Sequence, residues 1–220
     1  MKKKFLILTS LLAVALWVAP ASAYTFSDTI DGLPVSATVN FILGNGTVEV
    51  DIYNNIANPT SVIQCVSGLG FVLSTGQTAG SLASFAATER TIAAGGAVSD
   101  TPATTTHWQL LSNVSLPGGT GLKLNDLVGG QPINTIIGPG PYTHANPSIT
   151  GNSHEPVWFG DATTPVKFFL NVSGVTADTT VTFAQFNFGT AGAVPVPPTA
   201  LLLGSGLLGL VALGWRRKKS

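Results

Sequence analysis

Three histidines, His107, His144 and His154, are the first candidates for chemistry, because imidazole is a common metal ligand. Their spacing matches no ligand motif. His154-Glu155 opens the zinc-protease pattern H-E-x-x-H, but Trp158 stands where the second histidine belongs. No metal and no cofactor are expected. The G-x-S-x-G elbow of serine hydrolases does not occur. Cys65 is the single cysteine, with no partner for an intrachain disulfide and no catalytic signature around it, and it reads as a buried, inert thiol. Gly204 to Gly209 spells G-x-G-x-x-G inside an apolar segment, away from the strand-to-helix turn that lets such glycines cradle a pyrophosphate, so a nucleotide site is excluded. Carboxylates such as Asp28, Asp31, Glu49 and Asp51 leave a glycosidase-type pair open, since spacing along the chain does not fix the separation such a pair needs. Trp108, Tyr142 and Trp158, with Phe159, could form a ligand surface on which sugar rings stack. The simpler reading, favoured for rings near strand ends, puts them in the core. The protein is expected not to be an enzyme.

The elements that must position these side chains read as strands. In VSATVNFIL, Val35, Ala37, Val39, Phe41 and Leu43 share one face and Ser36, Thr38 and Asn40 the other. Gly44-Asn45-Gly46 supplies turn chemistry, and TVEVDIYN resumes with Val48, Val50 and Ile52 inward against Thr47, Glu49, Asp51 and Tyr53. Further strands are expected at Ser61 to Val66, Gly68 to Leu73, Trp108 to Leu116, Val166 to Val172 and Thr180 to Phe188. In the last, apolar parity switches between Phe183 and Phe186, which calls for a bulge near Ala184-Gln185 or a strand buried on both faces. Ser81 to Ala94 reads as a short helix or an irregular loop, and Leu116 to Pro156 as long surface loops. Short strands without intervening helices predict an all-β fold, an antiparallel β-sandwich of jelly-roll or Greek-key type.

Charge narrows the partners. From Tyr24 to Ala193, three basic residues (Arg90, Lys123, Lys167) face ten acidic ones, a net charge of −7 that argues against nucleic-acid binding. Charged residues are 9% of the whole chain, so Ser, Thr, Asn, Gln and Gly must make the surface polar.

The remaining basic residues sit at the two ends. Lys2 to Lys4, the apolar run Phe5 to Val18 and the small residues Ala21-Ser22-Ala23 form a secretory signal over 1-23, with Ala21 and Ala23 setting the cleavage site and Tyr24 starting the mature chain. The apolar run is about fourteen residues, short of the roughly twenty of a spanning helix, which favours removal over anchoring. One domain is expected over 24-193. Residues 194-220 form a different unit: the proline motif Val194-Pro195-Val196-Pro197-Pro198, an uncharged run from Ala200 to Trp215, and the basic end Arg216-Arg217-Lys218-Lys219. As a helix the run is about 24 Å long, short of a hydrocarbon core of roughly 30 Å but able to span a thinned bilayer. The basic end then stops on the cytoplasmic side. An N-terminal signal helix and a C-terminal transmembrane helix are therefore expected to flank the body.

A short proline motif, a glycine-rich apolar helix and a terminal basic cluster together resemble the PEP-CTERM sorting signal of Gram-negative bacteria. The resemblance covers Val194 to Ser220. Val196 stands where the commonest motif has glutamate, as in variants with an apolar residue between the prolines. The resemblance implies export by a Sec-type machinery, transient membrane insertion, cleavage near the proline motif by an exosortase, and delivery to the cell surface or an exopolysaccharide-associated extracellular matrix. An uncut membrane anchor is the alternative for the tail. For the body, the alternatives are a glycan-binding adhesin module or a secreted carbohydrate-active enzyme.

Overall fold

The computed structural model describes residues 21–128, 131–150, 156–190 and 194–195. The expected signal helix and tail helix fall outside the described residues, within which no helix is long and apolar enough to cross a membrane. The fold is all-β. Three strands open it, β1 (Ala21–Ile30), β2 (Leu33–Gly44) and β3 (Thr47–Asn54), joined by tight turns. Then come β4 (Val66–Leu73), β5 (Ser81–Ala86), β6 (Thr88–Ile92), β7 (Val98–Pro102), β8 (Gln109–Leu116) and β9 (Gly119–Asn125). Four short strands follow: β10 (Leu127–Val128), β11 (Gln131–Pro132), β12 (Ile136–Ile137) and β13 (Val157–Phe159). The last are β14 (Val166–Asn171), β15 (Val181–Phe188) and β16 (Val194–Pro195).

One sheet is five-stranded, in the order β1-β2-β3-β14-β5. A second large sheet is nine-stranded and runs β16-β15-β4-β12-β13-β6-β7, with the β8–β9 hairpin attached through β9 to β4, while β10 and β11 form a separate two-stranded sheet. Every pairing in the first sheet is antiparallel, whereas β12 and β13 are parallel. The two sheets face each other across the core. Phe41 on β2 meets Phe71 on β4 with ring centroids 5.1 Å apart, Phe26 on β1 meets Phe188 on β15 at 5.9 Å, and Phe168 on β14 meets Trp108 at 5.0 Å.

The β2–β3 hairpin follows its sequence parity. Val35, Ala37, Val39, Phe41, Leu43, Val48, Val50 and Ile52 are all buried, and Gly46 takes the positive φ of 74° that a tight turn needs. Two outward residues, Thr38 and Asp51, are buried as well. Asn55 donates to Thr38 Oγ1 at 3.1 Å and covers it, and Asp51 lies beneath Lys167.

Elsewhere the structure corrects the expectations. Val62–Gln64 is a 3-10 turn rather than part of a strand, because Ser61 caps it and the Gln64 side chain folds back to accept from Thr60 N at 2.8 Å. The segment from Ser81 is neither helix nor loop but the strands β5 and β6, with β5 paired to β14 and β6 to β7 and β13. Tertiary pairing there overrides a weak local pattern. Part of the expected loop region after Leu116 is ordered into β9 to β12. In β15 the pairing register shifts between Val181 and Phe183, upstream of the expected bulge, and from Ala184 onward the strand is buried on both faces.

Phe41→Ala should lower the unfolding free energy by about 3–5 kcal/mol, the usual cost of removing a buried ring. The half-exposed neighbour Ile42→Thr should change it by less than about 1 kcal/mol. Urea titration of both variants checks the assignment of faces.

Candidate functional site

Trp108, Tyr142 and Trp158 do not form a ligand surface. They are 2%, 2% and 0% exposed. Trp158 stacks on Phe85 at 5.2 Å and lies 6.4 Å from Trp108, and both indoles meet Phe168, so the three elements β13, β5 and β14 are joined by rings. Trp108 Nε1 donates to the Asn134 carbonyl at 2.9 Å. Tyr142 sits in a second apolar cluster with Cys65, Ile92, Ile137, Ile149 and Val157, and its hydroxyl donates to the Gly138 carbonyl at 2.6 Å. Burial pushes the Cys65 thiol up to about 12, so it stays protonated and unreactive.

The polar groups are spread over the body. His107 Nδ1 lies 3.0 Å from Asn134 Oδ1 and His144 Nδ1 lies 3.1 Å from Thr143 Oγ1, while His154 lies outside the described residues. Among the described residues no three His, Cys, Asp or Glu side chains gather to hold a metal. Asp28 caps Thr29 N at 2.8 Å, and Asp31 occupies the β1–β2 turn with a positive φ of 49°. Glu49 and Asp51 project from one face of β3, and Lys167 Nζ on β14 donates to both, at 2.7 and 2.8 Å. Desolvation raises the Asp51 carboxyl above its ordinary range, although Lys167 pulls the other way. This pair sits side by side on one strand and shares one cation, an arrangement unlike two carboxyls set across a sugar-sized cleft.

At the end of the body remote from the Asn45-Gly46 turn, a depression of about 270 Å³ is lined by Asn54, Asn55, Pro139, Asp161, Ala162 and Thr163. Burial pushes the Asp161 carboxyl up, but hydrogen bonds from Thr163 and Thr164 outweigh it and hold it below the ordinary range. All three of those bonds reach the same oxygen, Oδ1. Beside it, Arg90 grips Asp100 with two nitrogens, at 2.7 and 2.6 Å, donates to Tyr142 Oη and covers the Phe159 ring at 3.7 Å. Arg90 and Lys167 escaped the sequence reading as organising residues. Their scarcity was the available signal, although Lys123, the third cation of the body, is in no ion pair among the described residues.

The candidate processing sites lie at the two boundaries of the body. Ala21 and Ala23 belong to β1, opposite Ile42 and Asn40, and Tyr24 opposite Val39 is the first residue anchored in the core. Its ring meets Phe41 edge-on at 5.9 Å and its hydroxyl donates to the Val181 carbonyl. A cut after Ala23 would therefore remove three outer pairs of β1 and leave the pairs from Tyr24 onward. At the other boundary, Val194 and Pro195 form β16, antiparallel to β15, with Val194 opposite Phe186 and Pro195 opposite Gln185. Val196, Pro197, Pro198 and the basic cluster Arg216 to Lys219 lie outside the described residues.

No family model, curated protein or solved structure matches the chain. The boundary geometry thus stands on this chain alone. Because β15 begins at Val181, beside Tyr24, and β16 runs antiparallel to it, β16 is directed toward the end of the body where β1 begins.

Asp126 offers a pH test of the interior. It is 0% exposed, and its carboxylate accepts from Ile133 N at 3.1 Å and Asn134 N at 3.0 Å, clamping the β10–β11 hairpin. Burial pushes its carboxyl from 3.8 up to about 7, against the pull of those two N–H groups. A carboxyl raised on folding favours the folded state at low pH, and that contribution is lost as pH rises from about 4 to about 7. The stability difference between the wild type and Asp126→Asn should therefore shift in favour of the variant across that window, at no more than about 1.4 kcal/mol per pH unit. Urea titrations at several pH values measure it; a difference independent of pH would mean that Asp126 is ionised throughout.

Proposed function

We propose that this chain is an exported, non-enzymatic protein of the cell surface or extracellular matrix, tethered briefly by its C-terminal segment and cut near the proline motif by an exosortase. The observation that carries the reading is the tail itself, with Val194 to Pro198, the uncharged run Ala200 to Trp215 and Arg216 to Lys219 in one order. A helix from that run would be marginal as a permanent span, and the four cations would hold its end in the cytoplasm. The directions of β1 and β16 support the same reading, because a body whose two boundary strands point to one end can reach a membrane from both at once. The fold of the body is a jelly-roll or Greek-key variant, as suggested by β14 returning between β3 and β5 while β4 crosses to the other sheet. The partners of this function are a Sec-type export machinery and the exosortase, with exopolysaccharide as the surrounding matrix.

Support for a non-enzymatic body comes from Glu49 and Asp51, which are held together by Lys167 on the face of β3 away from the core. Intact-mass analysis of protein recovered from its native surface or medium tests the reading. The expected material begins at Tyr24 and ends close to Val194 to Pro198. Deleting the proline motif should leave the body in the membrane fraction. Native protein that keeps Ala200 to Ser220, in a strain with an active exosortase, would establish a plain anchor instead.

A further inference from the structure

The turns at one end of the body are tied to one another. Gly46 N donates to the Val175 carbonyl at 2.8 Å, and Val172 N donates to the Gly46 carbonyl at 2.9 Å. Ser74 N donates to the Thr180 carbonyl at 2.8 Å, Asn113 N to the Thr78 carbonyl at 2.7 Å, and Gln77 Nε2 to the Gly174 carbonyl at 3.0 Å. β1 begins at this end, with Ala21 opposite Ile42. β16 points to it as well, because Val194 lies opposite Phe186 and Pro195 opposite Gln185, so the chain leaves Pro195 in the direction of Val181. The end exposes neutral groups such as Asn45, Ser173 and Thr176 beside one carboxylate, Asp178. Asp28, Asp31 and Asp161 are at the opposite end.

We propose that this end is a membrane-docking face, held against the phospholipid headgroups while Ala200 to Trp215 occupies the bilayer. This rests on the tethering reading above. Five residue steps separate Pro195 from Ala200, at most about 18 Å of extended chain. While β16 stays paired, reaching the level of Val181 from Gln185 takes four strand steps, about 13 Å of that length. About 5 Å of reach remains, comparable with the depth of one headgroup layer, roughly 5–8 Å. The turns beyond Val181 therefore lie among the headgroups whenever Ala200 stands at the edge of the hydrocarbon. Their chemistry suits that place. Amides and hydroxyls donate to phosphate and ester oxygens, and one carboxylate meets less repulsion from anionic lipid than the three at the far end.

The test uses the full chain in vesicles of phosphatidylethanolamine and phosphatidylglycerol that include a lipid with a nitroxide on its headgroup. A fluorophore is attached to Ala177→Cys at this end or to Thr29→Cys at the other, both exposed positions. Cys65 is 0% exposed, so the chain without a new cysteine reports stray labelling. The Ala177→Cys label should be strongly quenched and the Thr29→Cys label hardly at all, since the 12 residues of β2 hold the two ends about 40 Å apart. A flexible Gly/Ser insertion of about twenty residues after Thr199 should abolish most of the quenching at Ala177→Cys, because the body then leaves the surface. A chain that floats with the vesicles but is quenched equally at both positions, or that keeps its Ala177→Cys quenching with the insertion, would overturn the docking face alone. A chain that does not float with the vesicles would overturn the tethering reading and the docking face with it.

Discussion

The structure depends on an aromatic seam between its two large sheets. Phe26, Phe41 and Phe168 from the five-stranded sheet meet Phe188, Phe71 and Trp158 from the nine-stranded sheet and Trp108, which immediately precedes β8. Each ring withdraws a large apolar area from water, at roughly 25 cal/mol per Å², and rings at these separations add edge or offset contacts beyond area alone. The seam also dictates register. Moving β2 by one residue against β3 would turn Phe41 and Val39 to solvent and Asn40 into the core, so the pairing of Phe41 with Val50 is fixed by burial as much as by hydrogen bonds.

Scarce charge has a second consequence. With three cations in the body, anions are paired or held by whatever the fold supplies nearby. Lys167 serves both Glu49 and Asp51, and Arg90 serves Asp100 while its flat face rests on Phe159. Asp126 relies on two main-chain N–H groups, and desolvation outweighs them and raises its carboxyl. Amides close the other gaps: Asn54 donates to the Gln64 and Ile136 carbonyls, and Asn134 links His107 to Pro156. A surface and interior built in this way owe little to ionic strength, since screening acts on charges and leaves neutral amide bonds nearly unchanged.

Legibility followed the locality of the signal. The β2–β3 hairpin could be read residue by residue because parity, turn glycine and strand length all agreed. β14 was legible for the same reason, since Val166, Phe168 and Leu170 alternate with Lys167 and Phe169. The strand β5 was not, because Ser81 to Ala86 has little apolar alternation and owes its conformation to β14 alongside it. In β15 the parity switch signalled an irregularity, but its position is set by pairing with β4, which a single strand does not encode. The aromatic residues show the same limit. Trp108 and Trp158 lie fifty positions apart, and only the folding of β13 against β6 and β12 brings them together behind Phe168.

The ends and the body are less separable than the sequence suggests. The small-residue cleavage site and the proline motif read as appendages, yet Ala21 and Ala23 are paired within β1, and Val194 and Pro195 are paired within β16. A segment cannot be both a paired strand and an extended protease substrate, so a cut at either boundary would compete with folding for the same main-chain groups. The competition is unequal. β1 shares ten register positions with β2 and anchors Tyr24 in the core, so a chain that lost its first three residues would keep most of that strand. β16 has two positions, one of them a proline with no N–H to add to the pairing. The β1 boundary is therefore held by many more main-chain pairs than the β16 boundary.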